Sequence, residues 1–126
     1  MAKISIPITA VQNGDKMSFC VYSRAQAKIL ITLDGKSDTY WKAEKQDANT
    51  SLTNFTGDVI GADYKDDDVL TLNITNNQNT PLQQQMSITG ILNNEGKCVG
   101  HITTIVIEDY IDGDFNDYII TITATR

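Results

Sequence analysis

The feature that most constrains this chain is an alternation of period two that recurs along most of its length. Met17, Phe19 and Val21 alternate with Ser18, Cys20 and Tyr22, and Ile29, Ile31 and Leu33 alternate with Leu30 and Thr32. The same pattern returns in Leu70, Leu72 and Ile74, in Met86 and Ile88, in Ile105 and Ile107, and in Tyr118, Ile120, Ile122 and Ala124. Successive side chains of a strand point to opposite faces, so each run reads as a strand with one face buried. Isoleucine and threonine, both abundant here, fit a pleated surface.

Turn signals separate the runs. Asn13-Gly14-Asp15, Asp34-Gly35-Lys36 and Asn93-Asn94-Glu95-Gly96 read as hairpin connections, and Asn76 to Pro81 as a longer loop. Only Tyr40 to Asp47 breaks the alternation enough to suggest a helical turn or two. Many short strands with regular turns predict an all-β protein, an antiparallel β-sandwich of about nine strands. Residues 1–126 read as one domain, with no linker or internal repeat. A chain of 126 residues is long enough to bury a sizeable core without a staple.

Composition excludes several functions. The formal net charge is −6, which argues against nucleic acid and against an anionic membrane surface as partners. No apolar run approaches the ~20 residues of a membrane span, so no membrane insertion is expected. The opening residues lack an apolar signal core, which predicts a cytoplasmic protein or one released by a non-classical route. Cys20 and Cys98 form no CxxC motif, and two buried thiols are favoured over a disulfide. With one histidine and no ligand spacing, zinc is not expected.

The acids are unevenly placed. Glu108, Asp109, Asp112, Asp114 and Asp117 fall within ten residues together with Asn116, between the strand patterns 102–107 and 118–125. Such crowding is repulsive unless a cation or full solvation relieves it. Calcium takes six to eight oxygen ligands in flexible geometry, and alternating Asp and Asn supply them, with Gly113 permitting a tight backbone path. Asp112, Asp114 and Asn116 match the first ligand positions of an EF-hand. Position twelve is Thr123 rather than glutamate, and the flanks are strands, so that motif is rejected. A calcium site that merely fixes the loop stays open as a reading.

The run Glu108-Asp109-x-x-Asp112-x-Asp114-Phe115-Asn116-Asp117, followed by a last strand, resembles the bacterial calcium-dependent fucose/mannose-binding lectins of the LecB type. The likeness is dense over the final fifth of the chain and elsewhere rests on strand pattern. The resemblance implies one or two calcium ions in the segment, contacted directly by sugar hydroxyls. It implies that Glu108, Asp112, Asp114 and Asp117 hold one ion and that Asp114, Asn116 and Asp117 hold the second. Asp109 and Asp112 then accept hydrogen bonds from the sugar. A further family ligand, an asparagine after an early strand, has no counterpart in Tyr22-Ser23-Arg24-Ala25-Gln26. Ser23 stands nearest to it, and Arg24 enters the specificity position. The family ends in a glycine whose carboxylate reaches a partner subunit's calcium, whereas this chain ends in Arg126.

Other chemistry is less favoured. Acids packed on one loop suit a cation better than the opposed pair of a glycosidase. His101 has no nucleophile at a recognisable spacing. Trp41 and Tyr40 are read as core or interface packing rather than as a sugar platform. Asp63 to Asp68 reads as a solvated turn, and the glycosylation sequons at Asn49, Asn54 and Asn73 as chance matches. The chain is thus expected to be a non-enzymatic lectin for monosaccharides or glycans, acting as a homodimer or tetramer because single sites gain strength by multivalency. A calcium-stabilised structural or adhesion module without sugar binding is the alternative.

Overall fold

A computed structural model describes residues 1–46, 51–60, 63–64, 69–79, 81–108 and 117–126. Among these described residues ten strands form two antiparallel sheets: β1 (Ala2–Ile8), β2 (Lys16–Ser23), β3 (Ile29–Asp34), β4 (Thr39–Lys45), β5 (Thr53–Asn54), β6 (Asp58–Val59), β7 (Leu70–Asn76), β8 (Gln83–Leu92), β9 (Cys98–Glu108) and β10 (Tyr118–Thr125). One sheet has the order β1-β7-β3-β4-β6 and the other β5-β2-β10-β9-β8. The predicted all-β sandwich is what the chain forms. The expected nine strands become ten because two-residue strands such as β5 and β6 leave no periodic trace. Among the described residues no helix is long and apolar enough to cross a membrane.

The alternation lands where the sequence places it. Met17, Phe19 and Val21 of β2, Ile29, Ile31 and Leu33 of β3, Leu70, Leu72 and Ile74 of β7, Ile105 and Ile107 of β9, and Ile120 and Ile122 of β10 are buried together in one core cluster. Burying an aliphatic side chain of this kind is worth about 1.5–3 kcal/mol, so the inner faces hold the two sheets together. The cluster includes Tyr40 and Trp41, as expected of core aromatics. Trp41 stacks on Phe19 across the sheets, with ring centroids 4.9 Å apart and planes 8° from parallel.

Four expectations need correction. Tyr40 to Lys45 is not helical but lies in β4. Leu33 pairs with Trp41 and Asp34 with Thr39, so Tyr40 is the extra residue of a β-bulge. The bulge lets the consecutive residues Tyr40 and Trp41 both face the core, which is why strict alternation fails there. The Asn13-Gly14-Asp15 turn joins β1 to β2, which lie in different sheets, so it is a crossover and not a hairpin. The other two turns do close hairpins, β3–β4 and β8–β9. In the second, the Asn93 side-chain carbonyl accepts the backbone N–H groups of Glu95 and Lys97, and Gly96 takes a φ of 77°.

The cysteines are unpaired but not buried, with Cys20 half-buried on β2 and Cys98 exposed on β9. Cys20 stands at an outward-facing parity between the buried Phe19 and Val21. Met86 and Ile88 are the fourth correction, since β8 is exposed along nearly its whole length.

Candidate functional site

Two strands carry the acidic segment. β9 and β10 pair in antiparallel register from Tyr118 opposite Ile107 to Thr125 opposite Gly100. Glu108 is the last residue of β9, and Asp117 directly precedes β10. The backbone N–H of Asp117 donates to the Ile107 carbonyl at 3.2 Å, which extends the ladder to the mouth of the connection. Asp109, Asp112, Asp114 and Asn116 lie outside the described residues. Glu108 is fully buried. A carboxylate without access to water is retained only where hydrogen bonds, a countercharge or a metal ion compensate its lost hydration.

The register also brings Ser23 and Arg24 to this end of the sheet. Ser23 closes β2 directly opposite Tyr118. Arg24 follows, and its backbone N–H donates to the Asp117 carbonyl at 3.0 Å. Four residues expected from the sequence, Glu108, Asp117, Ser23 and Arg24, therefore meet at one end of the sandwich. Their exposures differ. Arg24 is exposed, whereas Ser23 is 1% exposed and its hydroxyl oxygen accepts the Ala25 N–H at 3.1 Å. Ser23 thus shapes the turn into Ala25. Beside Arg24, the outer face carries a hollow of about 270 Å³ lined by Tyr22, Arg24, Leu52 and Ile119.

Two supporting residues escaped the sequence reading. The Asn76 side-chain amide of β7 donates to the Tyr118 hydroxyl of β10 at 2.9 Å, which ties the two sheets together next to the acidic segment. Lys45, only 3% exposed, donates from Nζ to the Ala25 carbonyl at 2.6 Å and so fixes the turn after Ser23. A parity signal was present. Asn76 continues the inward series Leu70, Leu72, Ile74, and Lys45 continues Trp41 and Ala43. A polar residue at an inward position implies a buried partner, because burial without one costs about 1–3 kcal/mol.

Arg126 occupies the opposite end of β10. Its Nε lies 3.6 Å from Oδ1 of the fully buried Asp15, and its Nη1 donates to the Cys98 carbonyl at 3.2 Å. Asp15 Oδ2 accepts the Gln12 N–H at 2.9 Å. At about 3.4 Å per residue, β10 separates Arg126 from the acidic segment of its own chain by roughly 30 Å. Among the described residues no three His, Cys, Asp or Glu side chains form a metal-ligating group. Most of the acidic segment lies outside that set.

No protein-family model and no curated protein sequence matches this chain. Solved structures do. The C-terminal domain of the BC2L-C lectin from Burkholderia cenocepacia aligns with a TM-score of 0.60 at 14% identity, covering 94% of this chain and 97% of that domain. The high-affinity mannose-binding lectin of Ralstonia solanacearum aligns with a TM-score of 0.60 at 15% identity, covering 90% and 91%. The Chromobacterium violaceum lectin CV2L, solved in complex with α-methyl-fucoside, aligns with a TM-score of 0.52 at 13% identity, covering 90% and 91%. The chain therefore has the fold of these bacterial lectins, and the acidic segment that resembles the fucose/mannose-binding family in sequence forms its β9–β10 connection.

Proposed function

We propose that this protein is a non-enzymatic, calcium-dependent lectin that binds monosaccharides of the fucose/mannose type at the β9–β10 end of the sandwich. The observation that supports this most is the convergence of Glu108, Asp117, Ser23 and Arg24 at one end of the sheet, spanned by a segment that adds Asp109, Asp112, Asp114 and Asn116. The donor set is all oxygen, which suits Ca²⁺ over zinc or copper. The buried Glu108 carboxylate fits a cation-bearing site for the reason given above.

In this reading Glu108, Asp112, Asp114 and Asp117 hold one ion, and Asp114, Asn116 and Asp117 hold a second where two are bound. Calcium supplies a divalent charge that makes sugar hydroxyls competent ligands. The protein's part is to fix the oxygens. The β9–β10 ladder sets the spacing of Glu108 and Asp117, and Asp109 and Asp112 accept hydrogen bonds from the ligand. Arg24, exposed beside them, presents its guanidinium to one flank of the sugar and biases the choice of ligand. A homodimer or tetramer would raise the avidity of single weak sites.

A second reading is a calcium-stabilised structural or adhesion module without sugar binding. It is favoured by the state of Ser23, whose hydroxyl oxygen is buried and already accepts a backbone N–H. A glycan array probed in calcium and again in chelator separates the two. The lectin reading expects fucosylated or mannosylated spots that vanish in chelator. An array blank in both conditions, from protein that takes up calcium, favours the structural module.

A further inference from the structure

Cys98 and His101 stand three residues apart on β9, and side chains at that spacing face opposite sides of a regular strand. Here they meet. Gly100 pairs with Ile91 and Cys98 with Leu92, so Val99 is the extra residue of a β-bulge. A bulge re-aims a side chain. This one turns the Cys98 sulfur to the side of the sheet that carries His101, where Sγ lies 3.6 Å from Nε2. The sulfur sits beside Gly90 of β8, which pairs with His101, and lies 3.5 Å from where a Cβ on that glycine would be.

The surroundings suit a reactive thiol. Cys98 is exposed, and its thiol donates to the Gly100 carbonyl at 3.2 Å, which holds the sulfur next to the ring. His101 Nδ1 is buried and has no hydrogen-bond partner among the described residues. Nε2 is therefore the nitrogen through which the ring exchanges a proton, and it is the one that faces the sulfur. Arg126 adds positive charge, since its Nη1 donates to the Cys98 carbonyl at 3.2 Å. Accessible thiols beside an imidazole and a cation are the nucleophilic ones. Cys20 is the contrast. It is half-buried, its thiol points to the Asn54 side-chain carbonyl at 3.7 Å, and the chain has no second histidine to serve it.

We propose that Cys98 and His101 form a nucleophile–base pair, which makes Cys98 a site of thiol–disulfide exchange with small disulfides. Cys98 Sγ attacks one sulfur of the disulfide while Nε2 takes the thiol proton. The new bond to Sγ replaces the S–S bond of the disulfide, and the departing thiolate recovers the proton from Nε2 and leaves as a thiol. The small disulfide is the oxidant, and the protein keeps half of it as a mixed disulfide. Cys98 and Glu108 are opposite ends of β9, so the inference does not depend on sugar or calcium.

Reaction of the full chain with dithiobis(nitrobenzoate), which releases a coloured thiolate, tests it. In the wild type, mass spectrometry of the product should place the first adduct on Cys98, with Cys20 slower by about tenfold or more. Cys98→Ser should lose the fast phase and Cys20→Ser should keep it. His101→Gln should slow Cys98 by about tenfold or more near pH 7. That gap should close near pH 9.5, roughly, where solvent removes the proton of any thiol whose value is about 8.5. Arg126, balanced by Asp15, and Lys97, balanced by Glu95, are the charged neighbours, and none of the four is altered in these variants. Unchanged far-ultraviolet circular dichroism verifies each fold, and the contrast of Cys98 with Cys20 in the wild type decides the matter where His101→Gln fails to fold. Equal rates for the two cysteines, or a folded His101→Gln that reacts at the wild-type rate near neutral pH, overturns the proposal.

Discussion

The backbone N–H of Arg24 donates to the carbonyl of Asp117 at 3.0 Å, which locks the exit of β2 to the entrance of β10. The bond is made by the main chain, so it is indifferent to the side chain at position 24. Arg24→Ala should therefore leave thermal stability within about 0.5 kcal/mol of wild type. Arg24→Pro removes the donor and should cost about 1–3 kcal/mol. Thermal unfolding of the two variants checks the contrast, and equal losses would contradict it.

The bond between Asn76 and Tyr118 bridges the sheets through two side chains that are 1% and 0% exposed. Tyr118→Phe keeps the ring but withdraws the acceptor from a buried amide. Urea unfolding should show a loss of about 1–3 kcal/mol. No change would mean that the amide finds another partner.

Gly57 adopts a φ of 73°, and a Cβ there would lie 2.2 Å from the Lys42 carbonyl oxygen. Both backbone conformation and space exclude a side chain. Gly57→Ala should destabilise by more than the 1–3 kcal/mol that a strained backbone alone costs, roughly, because β4 must also move. The Trp41 indole, whose N–H donates to the Thr56 carbonyl, should report the shift in its fluorescence. A variant with wild-type stability and emission would refute the crowding.

Asp34 sets one limb of the acid dependence. Burial pushes its carboxyl up, but hydrogen bonds donated by Thr32, Thr39 and Asn73 outweigh this and hold it below the ordinary carboxylate value, aided by the charge of Lys3. The donors lie 2.7, 2.8 and 2.7 Å away. A folded-state value below the unfolded one gives stability that is present above the unfolded pKa of about 3.9 and is lost as pH falls through the folded value. The stability difference between wild type and Asp34→Ala should therefore shrink on moving from neutral pH to about pH 3. A difference that is constant with pH would contradict this.

How much of this was legible in the sequence varies with the physics. β2, β3, β7 and β10 declare themselves because one face is buried and the other is not, so Tyr118, Ile120 and Ile122 follow from parity alone. β4 hides behind a bulge, because Tyr40 and Trp41 are buried side by side. Met86 and Ile88 carry the pattern of a buried face without the burial, since alternation records which side a residue takes and not whether another sheet covers it. Glu108 and Asp117 were found by charge density. Ser23 and Arg24 came from resemblance, and their meeting with Asp117 needed the β2–β10 register. Asn76 and Lys45 were passed over although their inward parity marks them.

The central claim is that a divalent ion held by Glu108 to Asp117 makes the contact with sugar. Titration calorimetry of methyl fucoside and methyl mannoside into calcium-loaded protein, repeated in chelator, tests it directly. Binding heat for at least one glycoside in calcium, abolished by chelator and by Asp114→Ala, is the expected result. Sugar heat that survives the chelator, or none at all from protein that has taken up calcium, would contradict the account.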